Sequence, residues 1–551
     1  MNKKITIYIP LIIAVSVAAG ILIGNLLNRN SQYSLSGIYP ASTNKISTIL
    51  NLIDNGYVDS VNTNSIIEQT IPEILKNLDP HTTYIPAKNM VEVQEEMTGN
   101  FSGIGVQFSV MEDTVRVIDV ISGGPSSKVG LMPGDRIVRV NDSIIAGVDV
   151  KNATVLSLLK GKKNTKVIVG IVRKDFADEL EFEITRGEIP IYSVDVSYMI
   201  DEETGFVKIS RFANKTYNEF MDRMAMLDDS GAKKVIIDLR QNTGGSLVAV
   251  LQMVDEFLEK GEPILYTEGI NQPRKTYDAS GKNSWKNMKV FVLIDEFSAS
   301  ASEIFAGAMQ DNDRGIVIGR RSFGKGLVQE QIPMMDGSAL RLTVARFYTP
   351  SGRCIQSSYE DGNEEYYEDI YHRFQNMEQL VADSIHFIDS LKYETKGGRI
   401  VYGGGGIMPD FFVPVDTTGN SEYFTKIYRK GLIYSFAYLY ADEHRDELST
   451  LTNADEFYSY LDKKDALTDF VKYASDKGIA KNEKGLKVSG TIINTQLKAY
   501  IARNIIGEEG FYPIIKNIDK TLLRAIEISK QNLLVENITA NDSIFVSPQI
   551  Q

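Results

Sequence analysis

The 551-residue chain has one cysteine, Cys354, and four scattered histidines, His81, His372, His386 and His444. A single cysteine excludes an intramolecular disulfide and any cysteine-rich zinc or iron–sulfur centre. Four histidines with no shared spacing give thin support to a metal hydrolase or a Ser-His-Asp triad. Positive charge is also short: 59 Lys plus Arg stand against 72 Asp plus Glu, a formal net charge of −13. Neutralising a phosphate backbone needs the opposite excess, so general nucleic-acid binding is excluded. There is no internal repeat, no long low-complexity tract, and beyond residue 27 no apolar run long enough to span a membrane. What remains is ordinary globular material, 43% apolar and 24% charged. A length of this kind corresponds to about three or four domains.

The amino terminus departs from that average. Asn2-Lys3-Lys4 precedes residues 5–27, which carry no charge. As a helix this run is about 34 Å long, enough for a hydrocarbon core of roughly 30 Å. The lysines put the terminus on the cytoplasmic side and the rest of the chain across the membrane. No small-x-small cleavage site follows Ala18-Ala19-Gly20, and no cysteine is placed for lipidation. The expectation is an uncleaved signal anchor: one transmembrane helix in a bacterial cytoplasmic membrane, with the remaining chain on the periplasmic side.

Patterning divides the rest. Residues 28–40 read as a polar linker and 41–100 as helical, with apolar residues at steps of three and four. Residues 101–187 read as a β-rich module, with strands at 105–110, 114–120, 135–140, 166–173 and 179–185 and short helices at 126–129 and 152–159. Residues 188–414 are α/β: short buried strands at 207–209, 235–239, 290–294, 315–319 and 340–347, with helices at 217–227, 247–258 and 300–310. Within them, 356–400 looks like an acidic, tyrosine-rich insertion. Residues 415–551 are helical by periodicity. The fold class is thus α/β in its central part and α+β across a multidomain chain.

Three segments carry chemistry. Asp238-Leu-Arg-Gln-Asn-Thr-Gly-Gly-Ser246 follows a buried strand and opens a helix; its glycines leave N–H groups for an anion or oxyanion, and Asp238 faces Arg240 across the turn. Phe297-Ser-Ala-Ser-Ala-Ser-Glu303 puts Ser300 at a helix N-terminus, where backbone N–H groups favour developing negative charge. The same Ser300-x-x-Glu303 spacing also suits a plain capping box. Gly319-Arg-Arg-Ser-Phe-Gly-Lys325 imitates a phosphate-binding loop. It fails because Gly326 stands where a Ser or Thr should hold magnesium, and 327–332 reads as strand where a helix is needed. A lysine serves as general base only when burial among apolar groups, here Phe323 and Leu327, disfavours its charged form. His81, in Leu78-Asp-Pro-His-Thr-Thr-Tyr84, reads as a capping or packing residue.

Taken together, Asp238-Leu-Arg-x-Asn-x-Gly-Gly245, Ser298-Ala-Ser-Ala-Ser-Glu-Ile304, Phe323-Gly-Lys-Gly-x-Val-Gln329 and Tyr348-Thr-Pro-Ser-Gly-Arg353 resemble the carboxy-terminal processing proteases, the tail-specific proteases of peptidase family S41. Residues 101–187 resemble a PDZ domain, through Phe101-Ser-Gly-Ile-Gly-Val106 and Pro125-Ser-Ser-Lys-Val-Gly-Leu-Met-Pro-Gly-Asp-Arg-Ile-Val-Arg-Val-Asn141. The resemblance implies Ser300 as nucleophile, Lys325 as general base and Gln329 as the residue orienting the amine. The oxyanion hole it implies uses the N–H of Ala301 and of Gly244 or Gly245. Ser302 and Glu303 are read as helix caps. Ser102, Gly103, Ile104, Gly105 and Val106 would form the PDZ carboxylate loop, receiving polypeptide substrates with apolar C-termini by strand addition. No cofactor and no metal are implied. In the simpler family pattern the Gly-Arg strand runs soon into a Gly-Ile-x-Pro-Asp turn, whereas here the insertion separates Arg353 from Gly406-Ile-Met-Pro-Asp410. The helical region after residue 414 lies outside the matched motifs and is where a second copy or an activating partner would act. The competing reading is a non-catalytic PDZ scaffold that binds polypeptide C-termini.

Overall fold

The computed structural model describes residues 14–20, 44–174, 176–381 and 389–531, and the chain divides into two compact units at residues 74 and 75. The predicted membrane segment lies mostly outside the described residues. Its residues 14–20 are helical, and no helix among the described residues is long and apolar enough to cross a membrane. The first unit holds helix α1 (Lys45–Gly56) and all but the last residue of α2 (Thr63–Leu75), as the apolar spacing predicted.

The second unit opens on a tight turn. Asp79 accepts the N–H groups of His81 and Thr82 at 2.9 and 3.0 Å and the Thr82 hydroxyl at 2.5 Å. The turn feeds β1 (Thr83–Ile85), and α3 (Met90–Thr98) and β2 (Asn100–Gly103) follow. The β-rich module matches its predicted elements to within a residue or two. Its strands are β3 (Val106–Met111), β4 (Thr114–Val120), β5 (Arg136–Val140), β6 (Ser143–Ile144), β7 (Lys166–Val172) and β8 (Leu180–Thr185), with helices α4 (Pro125–Val129) and α5 (Asn152–Leu159). They form an antiparallel sheet ordered β3-β4-β5-β7-β8, with β6 added to β5. Alternating valines and isoleucines, Val115, Val117, Ile137, Val167, Val169 and Ile171, point inward and meet Val155 and Leu159 of α5. β3 is an edge strand of this sheet.

β9 (Gly187–Pro190) returns to pair with β2 and leads into the α/β part. There β10 (Val194–Met199), β11 (Thr204–Ile209), α6 (Thr216–Asp229), β12 (Lys234–Asp238), α7 (Leu247–Asp255), the hairpin β13 (Pro263–Gly269) and β14 (Gln272–Asp278), β15 (Lys289–Ile294), α8 (Ala301–Asp311) and β16 (Gly315–Gly319) follow in order. Next come β17 (Leu327–Pro333), β18 (Ala339–Tyr348), the insertion helix α9 (Asn363–Gln375), β19 (Lys392–Glu394), β20 (Ile400–Tyr402) and β21 (Phe411–Phe412). The main sheet runs β10-β11-β12-β15-β16-β21, and all its pairs are parallel except β10–β11. Strands buried on both faces need unbroken apolar runs, as in Val-Phe-Val-Leu-Ile of β15 and Ile-Val-Ile of β16. β1 joins β18 in a second sheet with β13, β14 and β17, so the Leu78–Tyr84 motif becomes the border of that sheet.

The predicted helix at 247–258 stops at Asp255. The β13–β14 hairpin was not predicted, because β14 is polar and exposed along nearly its whole length and shows no apolar alternation. The C-terminal region is helical as expected: α10 (Glu422–Arg429), α11 (Leu432–Glu443), α12 (Arg445–Leu448), α13 (Ala454–Lys463), α14 (Ala466–Asp476), α15 (Glu483–Ile506), α16 (Glu508–Ile515) and α17 (Lys520–Lys530). It has its own core around Phe457, Leu461, Phe470 and Leu497. It also completes the main sheet. α6, α7 and α8 cover one face, while Leu522, Ala525 and Ile528 of α17 pack on Ile236, Phe291, Leu293 and Ile318 of the other. We therefore expect Leu522→Ala and Ile528→Ala each to lower the free energy of unfolding by about 2–5 kcal/mol, as core truncations do. Urea denaturation measures this, and losses well below that range would mean α17 is not part of the core.

Candidate active site

In parallel α/β sheets the usable crevice lies beyond the carboxyl ends of the strands. Here β12, β15 and β16 end side by side, and each is followed by one of the three segments singled out in the sequence.

After β12, Arg240 forks onto Asp238 at 3.0 and 2.7 Å and onto Asp519, at the start of α17, at 2.9 and 2.6 Å. Lys208 adds a contact of 3.3 Å to Asp238 and one of 2.5 Å to the Arg240 carbonyl. Burial by itself would raise the Asp238 carboxyl, but Arg240 and Lys208 outweigh it and bring it to about 2. The turn then passes close under Ser300. A Cβ on Gly244 would stand 2.7 Å from that of Ser300, and one on Gly245 would stand 2.0 Å from the Phe212 carbonyl oxygen. Both glycines have positive φ, so space and conformation alike require them. The Gly244 N–H is already taken by Asn242 Oδ1 at 2.9 Å, whereas the Gly245 N–H has no acceptor among the described residues.

After β15, Asp295 shapes the approach to Ser300 by accepting the N–H groups of Gln241 and Phe297 at 3.0 and 3.1 Å. Ser300 has φ 55° and ψ −112°, a strained conformation for a residue with a side chain, and caps α8. Glu303 accepts the Ser300 N–H at 2.8 Å. The reciprocal arm of this capping box is loose: the Ser300 side chain makes no cap hydrogen bond of its own. Ser302 donates its hydroxyl to the Asn242 carbonyl at 2.8 Å and so ties α8 to the glycine turn.

Glu303 does more than cap. Its side chain is fully buried and also accepts the Ser322 hydroxyl at 2.5 Å, the Gly324 N–H at 2.7 Å and the Lys325 N–H at 2.9 Å. One oxygen, Oε2, takes the N–H of both Ser300 and Lys325, so those two nitrogens lie no further apart than the two bonds laid end to end. Burial raises the Glu303 carboxyl, and the four hydrogen bonds oppose that rise. The sequence reading of Glu303 as a cap alone misses this second role. A glutamate at the third helical position signals capping whether or not a second loop docks on it.

Lys325 donates to Gln329 Oε1 at 3.1 Å, and Gln329 Nε2 in turn donates to the His81 carbonyl. In this conformation the amine bonds Gln329 rather than Ser300 Oγ. Burial, then repulsion from Arg341, holds the lysine below its usual range, against the pull of Glu303 and Asp79. His81 reads as a packing residue in the sequence because no nucleophile is near it in the chain; the fold brings it to Gln329 and Lys325. Its partial burial and the neighbouring lysine charge together push the imidazole down to about 4. Ser102 and Gly103 lie on β2, and Val106 begins β3. The Ser102 N–H is taken by Glu95 Oε1 at 3.1 Å, while the N–H groups of Ile104 and Gly105 have no acceptor among the described residues. Metal-type chemistry among the described residues is confined to Glu365, Glu368 and His372 on α9, of which both glutamates are exposed.

These features can be set beside known proteins. The model of peptidase family S41 matches residues 203–363, a PDZ domain model matches 102–184, and a family of unknown function matches 423–507. The carboxy-terminal-processing protease of Bartonella bacilliformis is 33% identical over 305 residues, 54% of this chain and 69% of its own length. The carboxy-terminal processing protease CtpB of Bacillus subtilis is 31% identical over 369 residues, 64% of this chain and 76% of its own. Among solved structures, the photosystem II D1 C-terminal processing protease is similar at 24% identity and a TM-score of 0.32, covering 56% of this chain and 88% of that one. The chain belongs to peptidase family S41, among the serine-type carboxy-terminal processing peptidases. It combines a PDZ domain with the S41 peptidase domain in one mixed helix-and-sheet chain.

The lowered His81 value carries a consequence. Between its ordinary 6.5 and about 4, the unfolded chain binds a proton that the folded chain refuses. Stability is therefore lost as pH falls through that window. We expect His81→Asn to flatten the decline of the thermal midpoint between pH 6.5 and 4; an unchanged slope would refute the assignment.

Proposed function

We propose that the chain is a membrane-tethered endopeptidase working through a Ser300–Lys325 dyad. Neutral Lys325 Nζ takes the proton of the Ser300 hydroxyl as the oxygen attacks a peptide carbonyl. The N–H groups of Ala301 and Gly245 stabilise the resulting oxyanion; one such donor is worth about 3–4 kcal/mol in the transition state. The lysine ammonium then protonates the leaving amine, and the same amine deprotonates the water that hydrolyses the acyl-enzyme. Gln329 orients the amine between these steps. The observation that carries this reading is the Glu303 carboxylate, which takes the backbone N–H of both Ser300 and Lys325 and keeps the two loops adjacent. Resting hydrogen bonds of catalytic groups are often unlike those made with substrate bound, so the Lys325–Gln329 bond is compatible with this role.

The PDZ domain supplies the address. An extended substrate end would add beside the open edge of β3, with its carboxylate on the N–H groups of Ile104 and Gly105. Residues 5–27 would anchor the chain in the cytoplasmic membrane, with the peptidase on the outer side of it, acting on exported proteins.

With the full-length chain and an unfolded substrate ending in apolar residues, we expect Ser300→Ala and Lys325→Ala to abolish cleavage while remaining folded. Residual turnover near that of the parent in either would overturn the dyad. Because a base must be neutral, kcat should rise with pH through a limb below the usual lysine range. A second measurement addresses the PDZ role: amidating the substrate C-terminus should raise KM, and equal constants for acid and amide would reject carboxylate recognition.

A further inference from the structure

The S41 family match ends at residue 363, the first residue of α9. That helix belongs to the insertion that sets this chain apart from the simpler pattern. Its outer face is acidic and exposed, with Glu364, Glu365 and Glu368. Its inner face buries Tyr366 and Arg373, two turns apart and therefore stacked on one side.

Both inner residues reach the supports of Lys325. Arg373 donates to the carbonyls of Ser322 and Phe323 at 2.8 and 3.1 Å, and Asp369 pairs with the same guanidinium at 2.6 Å. Those carbonyls lie on the segment that leads directly into Gly324-Lys325, whose N–H groups Glu303 holds from the other side. The Tyr366 hydroxyl meets His81 Nε2 at 2.9 Å, and its ring stands edge-on to His81 and Phe323 with centroids 5.3 and 5.8 Å away. The carbonyl of that same His81 accepts Gln329, the partner of the lysine amine. Tyr367 adds a bond of 2.5 Å to the Pro80 carbonyl. The segment leading into Lys325 and, through His81, the partner of its amine are thus both reached from one helix.

We propose that Arg373 and Tyr366 are positioning residues of the peptidase reaction, holding Lys325 in its dry, oriented state from the insertion helix. The proposal rests on the reading of Lys325 as general base. Titratable groups face Lys325 from every neighbouring element: Glu303 from α8, Asp79 and His81 from the turn before β1, Arg341 from β18. With those unchanged, loosening α9 admits water, and the amine recovers its affinity for a proton.

The test is the kcat–pH profile of the full-length chain carrying Arg373→Gln or Tyr366→Phe. We expect kcat at neutral pH to fall, by up to about 10²-fold for Arg373→Gln, as small misplacements of a catalytic group can do. We expect KM to hold, the limb assigned to Lys325 to move to higher pH, and activity to return in part at alkaline pH. Arg373→Lys, which keeps the charge and a donor, should fall between. Profiles superimposable on the parent's would overturn the proposal. So would an equal loss at every pH accompanied by a higher KM. Should Arg373→Gln fail to fold, Tyr366→Phe decides, since it removes one hydroxyl and no packing. An active Lys325→Ala variant would instead remove the base reading itself, a different failure.

Discussion

One buried carboxylate holds the loops of the candidate site together. Glu303 is a pure acceptor when ionised, and all four of its protein partners are donors: a hydroxyl and three backbone N–H groups. Left unpaired in the interior, such a charge would be untenable; with four donors it can be accommodated. An amide in its place would turn an NH2 group toward some of those donors. The constraint matters because Ser300 and Lys325 follow different strand ends, β15 and β16, and nothing in their local sequence joins them.

Around that clamp, each loop has a second anchor from a distant part of the chain. The glycine turn is held through Arg240 by Asp519 of α17, a helix that also covers the second face of the main sheet. The lysine loop is held by Arg373 of the insertion, and Gln329 by the turn at His81. The insertion beyond residue 363 and the C-terminal helices both lie outside the S41 match, and both pack against the matched core where its chemistry is concentrated. Elements outside the S41 match therefore help to hold the loops of the candidate site.

Elements with a strong hydrophobic period are legible in the amino-acid order to within a residue or two: β4, α5 and β16 begin and end where their apolar pattern does. Ser300, Lys325 and the glycine pair stand out only as an ordered set, since each segment alone also suits a helix cap, an ordinary loop lysine or a common glycine turn. The β13–β14 hairpin is not legible in this way, since a polar, solvent-facing strand has no buried face to impose alternation. Nor is the choice between the glycines, because it turns on whether Asn242 occupies the Gly244 N–H.

The amino-acid sequence by itself determined the local units: buried strands, amphipathic helices, and turns that only glycine can make. These follow from hydrophobic period and backbone sterics, which act over a few residues. Only the tertiary structure decided that Glu303 serves two loops, that His81 lies beside the lysine, and that α9 and α17 support the site. Those facts depend on hydrogen bonds between groups far apart in the chain, whose partners are set by packing in three dimensions and leave no periodic mark.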